Sequence, residues 1–316
     1  MQKDVLIIGA GTMGCGIGMV FAAHDYHVTL VDQTDELAHK AAERIRVMTA
    51  DMIEKGAQSD SWLEKAEQNI CYVGEDSLEQ LVPKATLIIE SIFENPEVKR
   101  SFYKKLNPWI SPTCIVCSNT SALNVFEMAQ LSHPERFLIT HWFNPAYIME
   151  LVEIVAGPAT APDVIANVKA LLVSLGKKPS VINQYIPGFI VNRLGAALMR
   201  EAAYMVSQGW TTPADIDSAI ALTCGVRYAF EGPVELYDVV GWDIIQAGAL
   251  AMYPSLCNES DGGNSIARGL IEKGELGVST GKGAFDYSDT TPGEYFSRRT
   301  ERIIKMQKFI KQLKEE

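Results

Sequence analysis

Two sets of residues in this sequence have types and spacings suited to redox chemistry. The first is Gly9-Ala10-Gly11-Thr12-Met13-Gly14, followed by Asp32. A Gly-x-Gly-x-x-Gly between a strand and a helix lets the backbone turn tightly, approach a pyrophosphate and pack helix against sheet. A carboxylate about 20 residues on can accept hydrogen bonds from a ribose hydroxyl and repels a 2′-phosphate, which points to NAD over NADP. A glycine turn without a ligand leaves Asp32 unexplained. The second set is His141 and Glu153. An imidazole can take a proton near neutral pH, and a carboxylate on its other nitrogen would fix the tautomer and stabilise the imidazolium. Such a pair is weak evidence on its own, and the histidines at 24, 27, 39 and 133 read as ordinary helix or loop residues.

These residues can act only if local structure positions them. Val5-Leu6-Ile7-Ile8 is an apolar run of the kind that forms a strand buried on both faces, and it enters the glycine segment directly. Met19 to Ala23 continues as a helix, Tyr26 to Val31 reads as a second strand closed by Asp32, and a helical stretch runs from Asp35 to about Lys55. That is a βαβ unit. A strand from about Ala85 to Glu90, a helix from Pro96 to Leu106 and a strand from Cys114 to Cys117 continue the alternation of a parallel sheet with helices on both faces. Phe137 to Trp142 and Leu151 to Ala156 are joined by a segment too short for a helical crossover, so they suit an antiparallel excursion at a sheet edge. Such a pairing can bring His141 and Glu153 side by side. From about Gln184 the pattern turns helical: Pro187-Gly188 interrupts the chain, and Phe189 to Ser207 reads as a long, well-buried helix. Thr212 is the expected N-cap of another helix, and Arg298 to Glu316 reads as an amphipathic terminal helix.

Composition narrows the possible functions. The chain has 316 residues, 47% of them hydrophobic, which is enough for two domains. Its net charge of −11 gives no general attraction to nucleic acid or anionic lipid, so a phosphate-bearing ligand must be held by local donors. Six scattered cysteines lack the spacing of a disulfide framework and imply a reducing, cytoplasmic setting. Cys114 and Cys117 lie in an apolar run with no second pair to complete a zinc site, so no metal is expected. The uncharged stretch from Val5 to Ala23 superficially resembles a secretion signal or membrane span, but it holds five glycines and follows Asp4.

Together the motifs resemble those of the L-3-hydroxyacyl-CoA dehydrogenase family. The resemblance is carried by Gly9 to Gly14 with Asp32, Ser118-Asn119-Thr120-Ser121-Ala122-Leu123, His141-Trp142-Phe143-Asn144-Pro145, Leu151-Val152-Glu153-Ile154-Val155 and Pro187-Gly188-Phe189-Ile190-Val191-Asn192-Arg193. Gly225 to Asp243 extends it toward the C-terminus. The resemblance implies an α/β fold: a Rossmann-type doubly wound sheet with antiparallel edge strands, then an all-α C-terminal domain. We expect residues 1–184 to bind NAD and carry the His–Glu pair, and residues 185–316 to serve substrate binding and dimerisation. His141 would remove the proton from a 3-hydroxyl as hydride leaves for the nicotinamide, with Glu153 as its partner. Ser121 and Asn192 would position the substrate oxygens. Glu94, Lys99 and Asn144 would lie along the cofactor and substrate groove, and the protein would be a homodimer. The plain alternatives are a turn residue for Asn144 and a solvated helix charge for Lys99, whereas an amide buried in an apolar helix at Asn192 would need partners.

The sequence also departs from the family. Acyl-CoA enzymes carry a serine and a lysine on the helix after the second strand that touch the CoA nucleotide, and here those positions are Met48 and Lys55. The usual Gly-Tyr-Pro-Met-Gly-Pro is replaced by a stretch containing Arg227-Tyr228-Ala229-Phe230, which resembles lambda-crystallin, a relative acting as an L-gulonate 3-dehydrogenase. A guanidinium pairs naturally with a free carboxylate, and a thioester offers no such charge. A salt bridge to a helix carboxylate is the competing reading of Arg227. The motifs favour a 3-hydroxyacyl-CoA thioester, followed by a free 3-hydroxy acid such as carnitine or L-gulonate. A non-catalytic NAD-binding protein is the third reading, opposed by the intact His141, Glu153, Ser121 and Asn192.

Overall fold

The computed structural model describes residues 3–260 and 265–315. The chain forms two compact units, Met1–Arg193 and Leu194–Glu316. The strands of the first are β1 (Asp4–Ile8), β2 (His27–Asp32), β3 (Ile70–Gly74), β4 (Leu87–Glu90), β5 (Ile115–Ser118), β6 (Phe137–Trp142), β7 (Leu151–Ala156) and β8 (Lys178–Ile182). They make one sheet in the order β3-β2-β1-β4-β5-β6-β7-β8. All neighbours are parallel except β6 and β7. Alternate side chains of one strand enter opposite cores: Val5 and Ile7 pack in one apolar cluster, Leu6 and Ile8 in the other. Burial on both faces explains why the central strands are unbroken apolar runs.

Helices α1 (Thr12–Ala23), α2 (Asp35–Glu54), α3 (Asp60–Gln68), α4 (Pro96–Leu106) and α5 (Pro162–Ser174) cover the sheet. Residues of α1, α2, α3 and α5 fill the first cluster, and Tyr103 and Leu106 of α4 enter the second. The antiparallel β6–β7 pair has the expected bounds, but β7 is not the edge, because β8 runs parallel beside it. The outer strands β3 and β8 are additional to the expected set. Each is only partly buried; β8 carries Lys178, Pro179 and Ser180 in place of a continuous apolar run, whereas β3 keeps the short run Ile70 to Val73.

The second unit is helical. Helix α6 (Val191–Ser207) begins at the end of the first unit, and α7 (Pro213–Leu222), α8 (Cys224–Arg227), α9 (Pro233–Val240), α10 (Trp242–Met252), α11 (Ser265–Glu272) and α12 (Pro292–Glu315) follow. Thr212 caps α7 as expected, its hydroxyl oxygen accepting from Asp215 N at 3.2 Å. The expectation for α6 is corrected: within one chain only Ala203 of this helix is buried, while Leu194, Leu198 and Met199 are exposed. Among the described residues, no helix is long and apolar enough to cross a membrane.

Candidate active site

The antiparallel register sets His141 of β6 directly opposite Glu153 of β7. Their Nδ1 and Oε2 atoms are 2.8 Å apart, and both side chains are buried. The other carboxylate oxygen, Oε1, accepts from the backbone N–H groups of Ile190 and Val191 at 2.9 and 3.0 Å. The turn before α6 aims those donors. Gly188 has φ 78° and Phe189 has φ 53°, a left-handed pair that a phenylalanine adopts only at a cost of about 1 kcal/mol. The Phe189 ring offsets that cost by full burial, packing edge-on against the His141 ring at 5.4 Å, with Phe143 at 4.5 Å.

Burial alone would raise the Glu153 carboxyl. The bonds from His141 and from the two backbone amides outweigh it, and the carboxyl is held below its ordinary range. An ionised carboxylate can only accept, so Nδ1 of His141 is the donor in this contact, and in the neutral ring Nε2 is then the nitrogen left to accept from an incoming hydroxyl.

The Ser121 loop is built on a buried polar hub that the sequence did not disclose. Glu90, at the end of β4, accepts from Lys99 Nζ at 2.5 Å, Tyr103 OH at 2.7 Å, Ser118 Oγ at 2.6 Å and Ile92 N at 2.9 Å. Lys99 also reaches Glu94 Oε2 at 3.3 Å. Glu94 in turn accepts from the Thr120 hydroxyl and from Ser121 N, the latter at 2.9 Å. Burial pushes the Glu94 carboxyl up, but these bonds bring it below its ordinary range. The reading of Lys99 as a solvated charge is therefore corrected: it is 1% exposed and engages the groove through Glu94.

Asn119, also absent from the expected set, accepts from Trp142 N at 2.9 Å and donates to Ser91 Oγ at 3.3 Å, tying the loop to the strand that carries His141. Asn192 donates to the Ser121 carbonyl at 3.3 Å. It is exposed at the start of α6, so the picture of a buried amide does not hold, although its link to Ser121 does bring the two together. The signal for Asn119 lay in the Ser118-to-Leu123 motif, and that for Glu90 in its closing a strand as Asp32 does.

A cleft of about 480 Å3 opens at the carboxyl ends of the central strands, lined by Gly9, Gly11, Thr12, Met13, Asp32, Glu94, Asn119 and Ser121 among others. The glycines there have different reasons. Gly9 has φ 102°, and a Cβ on Gly14 would stand 1.8 Å from the Gly9 carbonyl oxygen. Gly11 is required by neither backbone nor packing, since its φ is −69° and a Cβ would meet nothing within 4 Å. The space it leaves fits the close approach of a pyrophosphate. No side chain caps α1 and no acid stands in its first turn, so its N–H groups are free for an anion. Asp32 accepts from Ala10 N at 3.2 Å and Gln33 N at 2.8 Å, fixing a carboxylate at the cleft wall for a ribose. These residues fit NAD.

Of the other expected residues of the first unit, Gly14, Lys99, His141, Glu153 and Asn192 do not line this cleft, and neither do Asn144 and Lys55. Asn144 is exposed on the β6–β7 connection and is not among the lining residues. Lys55 is paired with Asp51 one turn back on its own helix, with only 7% of its side chain exposed. Arg227 ends α8 in the second unit, and among the described residues its guanidinium has no carboxylate partner.

Residues 4–185 match the family described as 3-hydroxyacyl-CoA dehydrogenase, NAD binding domain, and residues 188–287 match the corresponding C-terminal domain. The chain is 29% identical to a 5-formyl-3-hydroxy-2-methylpyridine 4-carboxylate 5-dehydrogenase of Mesorhizobium japonicum, covering 98% of this chain and 99% of the relative. It is 30% identical to a probable 3-hydroxybutyryl-CoA dehydrogenase of Bacillus subtilis, covering 92% and 99%. A solved structure of an NAD-dependent pyridine-carboxylate dehydrogenase of the first kind superposes with a TM-score of 0.87 at 27% identity, over 98% of this chain and 99% of that one.

Proposed function

Because the chain belongs to the 3-hydroxyacyl-CoA dehydrogenase family and is an NAD-dependent oxidoreductase acting on a hydroxyl group, we propose that it oxidises the 3-hydroxyl of a small substrate with a free carboxylate, using His141 as base. One observation carries the catalytic part: the buried 2.8 Å contact between His141 Nδ1 and Glu153 Oε2, which leaves Nε2 as the acceptor. Bound NAD supplies the hydride acceptor. His141 Nε2 takes the hydroxyl proton, while Glu153 holds the ring in one tautomer and balances the imidazolium. Ser121 and Asn192 position the substrate oxygens. Gly9, Gly11, Thr12, Met13, Gly14, Asp32 and Glu94 hold the cofactor, Lys99 fixes Glu94, and Asn144 adds an amide by resemblance alone.

The free-carboxylate reading is supported by Arg227, whose guanidinium is without a carboxylate partner among the described residues and is the group we assign to the substrate carboxylate. It is supported further by Lys55, which is engaged with Asp51, by Met48 in place of serine, and by the name of the Mesorhizobium relative. A second reading, the thioester of a 3-hydroxyacyl-CoA, is favoured by the Bacillus relative.

Initial rates of NADH formation with free L-3-hydroxy acids, including carnitine and L-gulonate, against L-3-hydroxybutyryl-CoA separate the two. We expect a free acid to win, and Arg227→Ala to raise its KM about 100-fold, the worth of a bidentate charge-assisted pair. A thioester that wins by orders of magnitude, with Arg227→Ala mild, would overturn the assignment in favour of the second reading.

A further inference from the structure

The second unit holds a concentration of positive charge that the dehydrogenase chemistry does not use. Arg298, Arg299 and Arg302 of α12 line one hollow of about 330 Å3. Tyr287, Asp289, Thr290 and Tyr295 complete its wall. Like charges at neighbouring positions of a helix repel, so three guanidiniums around one hollow are disfavoured by stability alone. Only Arg298 is tethered, donating through Nη2 to Thr290 Oγ1 at 2.6 Å. Among the described residues neither Arg299 nor Arg302 has an ion-pair or hydrogen-bond partner. Glu301, which lies between them in sequence, is engaged with Lys305 at 2.5 Å. Asp289 is the single carboxylate in the lining, against three fixed positive charges, in a protein whose net charge is −11.

We propose that this hollow binds a phosphate group carrying two or more negative charges, with Arg299 and Arg302 as direct partners and Arg298 held beside them. Guanidinium forks match phosphate oxygens in pairs, and a multiply charged anion answers all three arginines where a single carboxylate answers one. The hollow is large enough for a small organic phosphate, since ligand sites begin at roughly 300 Å3. Tyr287 and Tyr295, edge-to-face at 5.3 Å, give it an aromatic side against which a nucleotide base could rest. The shared chemistry is the phosphate, whether it comes as an inorganic ion or on a nucleotide.

The test is calorimetric titration of the full chain, kept saturated with NADH, with inorganic pyrophosphate and separately with ADP. We expect one site per chain, weakened by added salt and weakened roughly tenfold or more in the double variant Arg299→Gln, Arg302→Gln. Asp289→Asn, which removes the one opposing charge, should tighten binding and gives a second readout should the double variant fail to fold. Tighter binding of ADP assigns the phosphate to a nucleotide, and equal binding assigns it to a free anion. No binding of either probe by the wild type, or binding unchanged by all three substitutions, overturns the proposal.

Discussion

At Glu153 two opposing effects meet in one side chain, and the outcome sets a pH dependence. Burial favours the neutral acid, while His141 and the amides of Ile190 and Val191 favour the carboxylate and prevail. A carboxyl whose folded pKa lies below its unfolded one contributes stability that is fully present above the ordinary value of 4.5, and lost as pH falls through the lower folded value. Urea midpoints measured from pH 7 to pH 3 should therefore show wild type and Glu153→Gln converging at the acid end, and a constant gap would count against the ionised pair. The identities of His141 and Glu153 were legible because matched strands with a short connection force a cross-strand register. Phe189 was not, since nothing in a phenylalanine announces a left-handed backbone. The burial of Lys99, a residue the resemblance had placed along the groove, was not either, because it is decided by packing against Glu90 at the end of β4.

The same contrast holds for whole elements. The β1–α1 turn was legible from three glycines, but their roles differ and can be separated by one methyl group. Gly11→Ala should fold like wild type, because its Cβ meets open space, yet bind NADH about tenfold or more weakly, a cost in the range of overpacking a close contact. Gly14→Ala should lose the fold of this turn, because its Cβ would strike the Gly9 backbone. Thermal melting with NADH fluorescence titration distinguishes them, and equal behaviour would refute the separation. Central strands were legible from continuous apolar runs, whereas β8 was missed because Lys178–Ile182 carries polar residues and a proline.

At the scale of the whole molecule, the first unit buries most of its apolar residues in two clusters, whereas the second buries few. Leu194, Leu198, Met199, Trp242, Ile244 and Leu250 all remain exposed in a single chain. Apolar exposure on this scale calls for a partner surface, and we propose a second copy of the chain as that partner, the expectation the family resemblance carries. The periodicity of α6 correctly marked an apolar face, but periodicity does not state whether the cover comes from the same chain or another. Sedimentation at micromolar concentration should show a dimer, and a monomer alone would refute this.

The most direct measurement is the rate of NADH formation by His141→Ala with the best free-acid substrate, read beside its NADH affinity. If His141 is the base, turnover falls by roughly 10²–10⁴-fold, the usual worth of a positioned general base, while NADH binding is unchanged. Turnover equal to wild type, with the variant folded and the cofactor bound, would contradict the assignment of His141 and Glu153 as the proton-accepting pair.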